Sequence, residues 1–261
     1  MRGLHNQIAV ITGGGRGIGR AIAQKFAEYG SIVVIGSRSE TEIENTADEI
    51  QKNGGQASGY ALDVGDRESV IHFTKQVWER HQRIDILVNC AGVNTRLPAE
   101  SFPEEEWERI LNINITGAYR VSQEIGRRMI EQKSGAIVNI TSMNSHVVTP
   151  NLGAYAAAKG ALLQYTRVLA VEWAKYNIRV NAVSPGYIDT AMTTAILQRP
   201  EYRRSLLEKT PQQRFGLPEE VAEAVCFLAS PAASFITGVA LPVDGGFLAG
   251  HPQIVPPVNL S

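Results

Sequence analysis

The stretch QIAVITGGGRGIG, residues 7–19, decides how this chain folds. Its first half, 7–12, is a short β-branched run that reads as a buried strand. TGGGRGIG at 12–19 then reads as a tight glycine-rich turn, and a helical stretch runs from Gly17 to Tyr29. Glycines at a strand-to-helix turn let the backbone come close to a pyrophosphate held at the helix N-terminus. The spacing is Gly13-x-x-x-Gly17-x-Gly19, with Gly15 and Arg16 inside it. A strict G-x-G-x-x-G fingerprint would need glycine where Ile18 stands, and the Lys-Ser/Thr of a P-loop is absent. A glycine turn with no ligand is the alternative.

Outward from that turn, β-branched runs alternate with amphipathic ones. Strands are expected at 31–36, 55–64, 84–89, 135–141 and 178–185, and a last one within VALPVDGG, 239–246. Helices are expected after Ser39, which forms a capping box with Glu42, near 67–81, over a long region 103–133, around Tyr155 and at 218–229. Residues 187–217 show no clear period. This alternation predicts a single α/β domain over 1–261: a doubly wound parallel sheet of about seven strands with helices on both faces. The tail, 248–261, is Pro-rich and expected to be extended.

Composition narrows the function. Net charge is −1 and 44% of residues are apolar, which points away from nucleic acid and from anionic membranes as partners. No apolar run approaches the ~20 residues of a membrane span, and the start is not read as a signal peptide. Cys90 and Cys226 have no metal-ligand spacing; reduced thiols in a cytoplasmic protein are expected, and no metal.

A second stretch, GAYAAAKGAL at 153–162, places Tyr155 and Lys159 four apart on one helix face. Alone, such a pair is most often a surface pair, Ser142 a strand-end turn residue and Asn114 a buried amide. Ligands of doubly wound sheets bind beyond the carboxyl ends of the strands. The chain ends there with Asp63-Val64, Asn89-Cys90-Ala91-Gly92, Thr141-Ser142 and Ser184-Pro185-Gly186.

Together these pieces resemble the short-chain dehydrogenase/reductase family from about Gln7 to Gly246. TGGGRGIG resembles that family's TGxxxGxG cofactor loop, and NCAG (89–92) its NNAG segment, with Cys90 replacing an asparagine. NINITG supplies Asn114, ITS supplies Ser142, YAAAK supplies Tyr155 and Lys159, and PGYIDT (185–190) resembles the nicotinamide clasp. The resemblance implies a Rossmann-type fold, with cofactor binding mainly in 7–141 and catalytic and substrate parts in 142–247. It implies NAD(P)-dependent interconversion of a secondary alcohol and a ketone. Tyr155 would be the acid/base, Ser142 would orient the substrate oxygen, Lys159 would hold the nicotinamide ribose, and Asn114 would place a water behind Lys159. The cofactor would touch Gly13, Gly15, Arg16, Gly17, Ile18, Gly19, Ser37, Arg38, Asp63, Val64, Asn89, Ala91, Gly92, Tyr155, Lys159, Pro185, Gly186, Ile188 and Thr190. A homotetramer is also implied, with helices around 103–133 and 154–176 at one interface and the last helix and strand at another.

Physical chemistry adds detail. A tyrosine with pKa about 10 is a poor base at neutral pH; lowering it by ~3 units needs roughly 4 kcal/mol. Lys159 and the charge of oxidised nicotinamide are expected to supply it. SIVVIGSRSE (31–40) carries no acid at the end of the second strand, where an NAD enzyme places one for the ribose hydroxyls. Arg38 can fork onto a 2′-phosphate and Arg16 adds charge, so NADP(H) is expected, with NAD(H) the runner-up. Glu40 is expected in the next helix's first turn, facing solvent. EWAKYNIRVN and TPQQRFGLPEE resemble the gluconate 5-dehydrogenase branch, which implies a sugar acid or polyol substrate. Arg96, Asn144 and His146 are the candidate substrate contacts. A 3-oxoacyl-(acyl-carrier-protein) reductase-like or other carbonyl reductase is the alternative, and a cofactor-binding regulator without chemistry is the remote one.

Overall fold

Successive side chains of a strand point to opposite faces, and in this chain both faces are apolar. Ala9 and Ile11 of β1 (Ile8–Thr12) join one core cluster, and Ile8 and Val10 the other. The same alternation runs through β2 (Ile32–Ser37), β4 (Ile86–Asn89) and β5 (Gly135–Ile140). Such strands demand cover on both sides. In the computed structural model, which describes residues 3–190, 193 and 199–250, helices provide that cover.

One face is closed by α1 (Gly17–Glu28), α2 (Glu40–Lys52) and the last helix, Pro218–Ala229, through Ile22, Phe26, Ile43, Ile50 and Val225. The other is closed by α3 (Arg67–His81), α5 (Gly117–Gln132) and α6 (Gly153–Trp173), through Phe73, Val77, Ile125, Met129 and Leu169. The edges are β3 (Gln56–Ala61) and β7 (Ala240–Val243), with β6 (Ile178–Pro185) inside β7. All pairs are parallel in the order β3-β2-β1-β4-β5-β6-β7. The chain reverses direction across the sheet between β1 and β4, which opens a crevice at their carboxyl ends.

Local chemistry sets the ends. Ser39 Oγ accepts from Glu42 N (3.3 Å), one half of the expected capping box, while Ser39 N donates to Ser37 Oγ (3.3 Å) instead of the Glu42 side chain; α2 begins at an exposed Glu40. Asp66 caps α3 by accepting from Ser69 N (3.0 Å).

Three sequence expectations are corrected. The long helix 103–133 is α4 (Glu104–Leu111) and α5 joined by a π turn, Asn112–Thr116. Its cause is local: Asn114 Nδ2 donates to Ile110 O at 2.9 Å, competing for the carbonyl four residues back that the helix ladder would use. The third strand stops at Ala61 rather than running to 64, because Asp63 and Gly65 already form a turn through Gly65 N and Asp63 Oδ1 (2.8 Å). Within 187–217 lies α7 (Pro200–Lys209), whose single buried residue, Leu206, leaves no apolar stripe to read. The last helix, 218–229, is therefore α8. The tail beyond residue 250 lies outside the described residues.

Candidate active site

At the crevice, Thr12 ties the two central strands together. Its Oγ1 accepts from Cys90 N (3.1 Å) and Ala91 N (3.2 Å), drawing NCAG against the first turn. There Gly13 has φ +69°, and a Cβ on it would lie 2.8 Å from Ala91 Cα. A Cβ on Gly19 would lie 2.1 Å from the Gly13 carbonyl, so only glycine lets α1 start this close to the turn. Arg16, the N-cap of α1, makes no side-chain cap, and the first turn holds no acid. The free N–H groups of that turn, the helix dipole and the glycine cradle fit the pyrophosphate of a dinucleotide.

Around this cradle stand the other expected cofactor residues. Gly15 packs against Glu42, Ile18 against the core, and the Thr190 methyl beside Gly17. Ser37 ends β2, accepting from Ser39 N through Oγ (3.3 Å), and Arg38 is exposed with no ion pair among the described residues. Arg16 is paired instead with Glu42 at 3.4 Å, so part of the expected second positive charge is already taken. Asp63 serves the turn after β3, and Val64 is buried against Gly117. Asn89 lies beneath the floor, donating to Ser122 Oγ (2.9 Å) and Asn139 Oδ1 (2.8 Å). Pro185 ends β6; Gly186 N donates to Val243 O (3.0 Å), and Ile188 bridges to Gly216.

Asn114, Ser142, Tyr155 and Lys159 converge at the carboxyl ends of β4 and β5. The π turn carries Asn114 inward, where it is buried and also donates to Val93 O (2.9 Å). Gly92 lies between Asn114 Oδ1 and Lys159 Nζ. Lys159 is 4% exposed; its ammonium donates to Ile140 O at 2.7 Å and sits 5.7 Å from the centre of the Tyr155 ring. Ser142, just past β5, accepts from Asn144 N (3.1 Å) and lies beside the half-buried Tyr155 phenol, whose ionisation it favours.

The electrostatics correct one expectation. Burial pushes the Tyr155 phenol above its usual pKa, the Ser142 hydrogen bond and then Arg96 oppose this, and Cys90 adds to it. Lys159 points at a carbonyl, so it does not by itself draw the phenol down. Burial instead pulls Lys159 down to about 8, with Cys90 acting against it. Cys90 is pushed up to about 11 by burial, with Lys159 opposing, so it stays a neutral thiol. The phenol therefore stays protonated, a proton donor, at neutral pH.

The three candidate substrate residues divide. Arg96 lies in the loop after NCAG, and its charge acts on both Tyr155 and Tyr187. Asn144 is consumed internally: its N and Nδ2 donate to Ser142 Oγ (3.1 and 3.4 Å), and its Oδ1 accepts from Thr149 N (3.1 Å). His146 Nε2 is 3.1 Å from Ser184 Oγ. Asn144 binds its own loop, which a short 3-10 turn, Met143–Ser145, folds back on itself, while His146 reaches across to β6. A cleft of about 400 Å³ opens between that loop and the first turn of α6. Sequence reasoning passed over Tyr187, which is half-buried directly after β6 with its ring edge-on to Phe247 at 5.8 Å; the only signal was that it sits inside PGYIDT.

Known proteins match this architecture along nearly its whole length. A family model described as enoyl-(acyl carrier protein) reductase matches residues 13–248. The 3-oxoacyl-(acyl-carrier-protein) reductase of Thermotoga maritima is 36% identical over 94% of this chain and 99% of its own. Gluconate 5-dehydrogenase of Gluconobacter oxydans is 35% identical over 91% and 93%. The solved structure of a gluconate 5-dehydrogenase from Burkholderia cenocepacia, in complex with NADP and tartrate, superposes with a TM-score of 0.91 at 35% identity, over 94% and 96% of the two chains. The glycine cradle at the β1–β4 crevice, the Tyr155–Lys159 face beside Ser142 and this likeness lead to one conclusion: the chain belongs to the short-chain dehydrogenase/reductase family of oxidoreductases acting on alcohols and ketones.

Proposed function

We propose that this protein interconverts a secondary alcohol and a ketone on a sugar acid or polyol, with NADP(H) as cofactor, in the manner of gluconate 5-dehydrogenases. The observation that carries this reading is the half-buried Tyr155 phenol on one helix face with the buried Lys159 and beside the buried Ser142, with the Arg96 charge acting on it. When bound, the nicotinamide supplies or accepts the hydride and, oxidised, adds positive charge beside the phenol. Ser142 holds the substrate oxygen, and Tyr155 gives its proton to that oxygen as the ketone is reduced. In the oxidative direction Tyr155 takes the proton back, which burial opposes until positive charge is added. Lys159 holds ribose hydroxyls and passes protons to a water set by Asn114. Arg96 recognises a substrate carboxylate by a forked pair of hydrogen bonds.

Residues 7–141 serve mainly the cofactor and 142–247 the substrate and catalysis. The choice of NADP(H) rests on Ser37 and Arg38, which leave the end of β2 without a carboxylate to repel a 2′-phosphate; the NADP in the Burkholderia structure supports it. The working form is a cytoplasmic homotetramer. Val168, Val171, Phe235 and Val239 are exposed on α6 and next to β7, where a second copy would cover them. Sedimentation at micromolar concentration giving the mass of one protomer would refute the tetramer. Likeness to the Thermotoga protein supports a second reading, reduction of a 3-oxoacyl thioester. Assay of 5-ketogluconate, polyhydroxy ketones and an acetoacetyl thioester with NADPH and NADH separates the two. Turnover of the thioester alone would overturn the sugar-acid reading.

A further inference from the structure

A serine hydroxyl carries one proton and two lone pairs, and at Ser142 the fold fills both lone pairs. Asn144 donates twice to Ser142 Oγ, from its backbone N at 3.1 Å and from its side-chain Nδ2 at 3.4 Å. The orientation of the Asn144 amide is fixed independently. Thr149 N, which can only donate, lies 3.1 Å from Oδ1, so Oδ1 is the acceptor and Nδ2 the donor. Ser142 and Asn144 are 6% and 8% exposed, so bulk water does not compete for these bonds. Asn144 also lines the cleft that opens beside its loop. The loop has anchors besides Asn144: Ser145 Oγ donates to Lys159 O at 3.0 Å, and His146 Nε2 lies 3.1 Å from Ser184 Oγ. A change confined to the Asn144 side chain leaves those anchors in place.

We propose that Asn144 is a positioning residue that acts through Ser142: by filling both lone pairs of the hydroxyl, it leaves Ser142 only its proton to offer. Ser142 then serves the reaction as a hydrogen-bond donor to the substrate oxygen and not as an acceptor. A ketone oxygen has no proton, so only a donor can hold it. The negative charge that grows on that oxygen as hydride arrives strengthens the bond. A serine with free lone pairs would divide its time between donating to the ketone and accepting from the Tyr155 phenol. With the lone pairs filled, the phenol's proton has one destination, the substrate oxygen. The inference rests on the role given to Ser142 above, and not on which ketone is reduced.

The test compares wild type, Asn144→Asp, Asn144→Ala, Ser142→Ala and the double variant Ser142→Ala with Asn144→Ala. The substrate is whichever of 5-ketogluconate, sorbose and an acetoacetyl thioester wild type reduces fastest with NADPH; kcat, KM, NADPH affinity and melting temperature are measured. Asn144→Asp keeps the size and the Oδ1 acceptor but puts a second acceptor where Nδ2 stood, which draws the Ser142 proton away from the substrate. Its kcat should fall about 10- to 100-fold with NADPH affinity unchanged. Asn144→Ala removes one donor without attracting the proton, and should lose about 3- to 10-fold. In the Ser142→Ala background Asn144→Ala should cost less than about 2-fold more, because its route to the substrate is gone. An Asp variant no slower than the Ala variant overturns the proposal by showing that donor polarity does not matter. So does an Asn144→Ala loss that stays full-sized without Ser142, or one that NADPH affinity and melting temperature follow in step, which shows a structural role only. Should Asn144→Asp fail to fold, the Asn144→Ala cycle decides alone. Full turnover in Ser142→Ala, or no turnover of any of the three ketones by wild type, overturns the functional reading itself, and this inference with it.

Discussion

Replacing Lys159 by methionine should make the cofactor-free protein more stable at neutral pH and abolish its turnover. The side chain is 4% exposed, and its ammonium is bound by the Ile140 carbonyl rather than by a carboxylate among the described residues. Burial pulls its pKa from 10.5 to about 8, which corresponds to about 3 kcal/mol by which the fold disfavours the charged form. Methionine fills similar space without charge but leaves the Ile140 carbonyl unpaired, at a cost of about 1–2 kcal/mol. The net gain is about 1–2 kcal/mol, a rise in Tm of about 2–8 °C for a chain of this size. The pH dependence gives the signature. Below about pH 8 lysine is protonated in both states and the whole penalty stands. Between about 8 and 10.4 the unfolded chain holds a proton that the native one has lost, so wild-type stability climbs with pH. The methionine variant lacks this climb. It should be the more stable protein at pH 7 and the less stable one at pH 10, where only the lost hydrogen bond remains. Thermal melts of both proteins at the two pH values, with turnover measured alongside, decide the matter. A variant less stable by more than about 1 kcal/mol at pH 7, or a stability difference that does not move with pH, would refute the reasoning.

Tyr155→Phe should fold and quench cofactor fluorescence normally but lose nearly all turnover; retention of more than about a tenth of kcat would remove Tyr155 as the proton donor. Wild type should favour NADPH over NADH in kcat/KM, and Ser37→Asp with Arg38→Ala should erase or reverse that preference, each charge-assisted hydrogen bond being worth about 1.5–3 kcal/mol. Glu42→Gln releases Arg16 from an exposed pair at 3.4 Å, and should lower KM for NADPH by about 2- to 5-fold while leaving KM for NADH alone. Equal effects on both cofactors would show that Arg16 does not face the 2′-phosphate.

How much of this was legible in the sequence depends on range. Glycine at 13 and 19, the Ser39 cap and the Tyr155–Lys159 spacing are local facts, set by steric limits and helical period within a few residues, and they told where the strands turn into helices and which face carries the chemistry. The β-branched strands announced a sheet buried on both faces. Other features belong to partners far along the chain. The order that places β1 beside β4 follows from pairing, not from any strand's own residues. Asn114 could be read as a site residue, but the π turn that carries it inward depends on its side chain taking the Ile110 carbonyl. Asn144 and His146 looked free for substrate until the loop closed on Ser142, Thr149 and Ser184. Glu42 claims Arg16 from 26 residues away. The largest reversal concerned charge: four residues of spacing put an ammonium above a phenol, while burial, which only the packed fold creates, raised the phenol, lowered the ammonium and turned that ammonium toward a carbonyl.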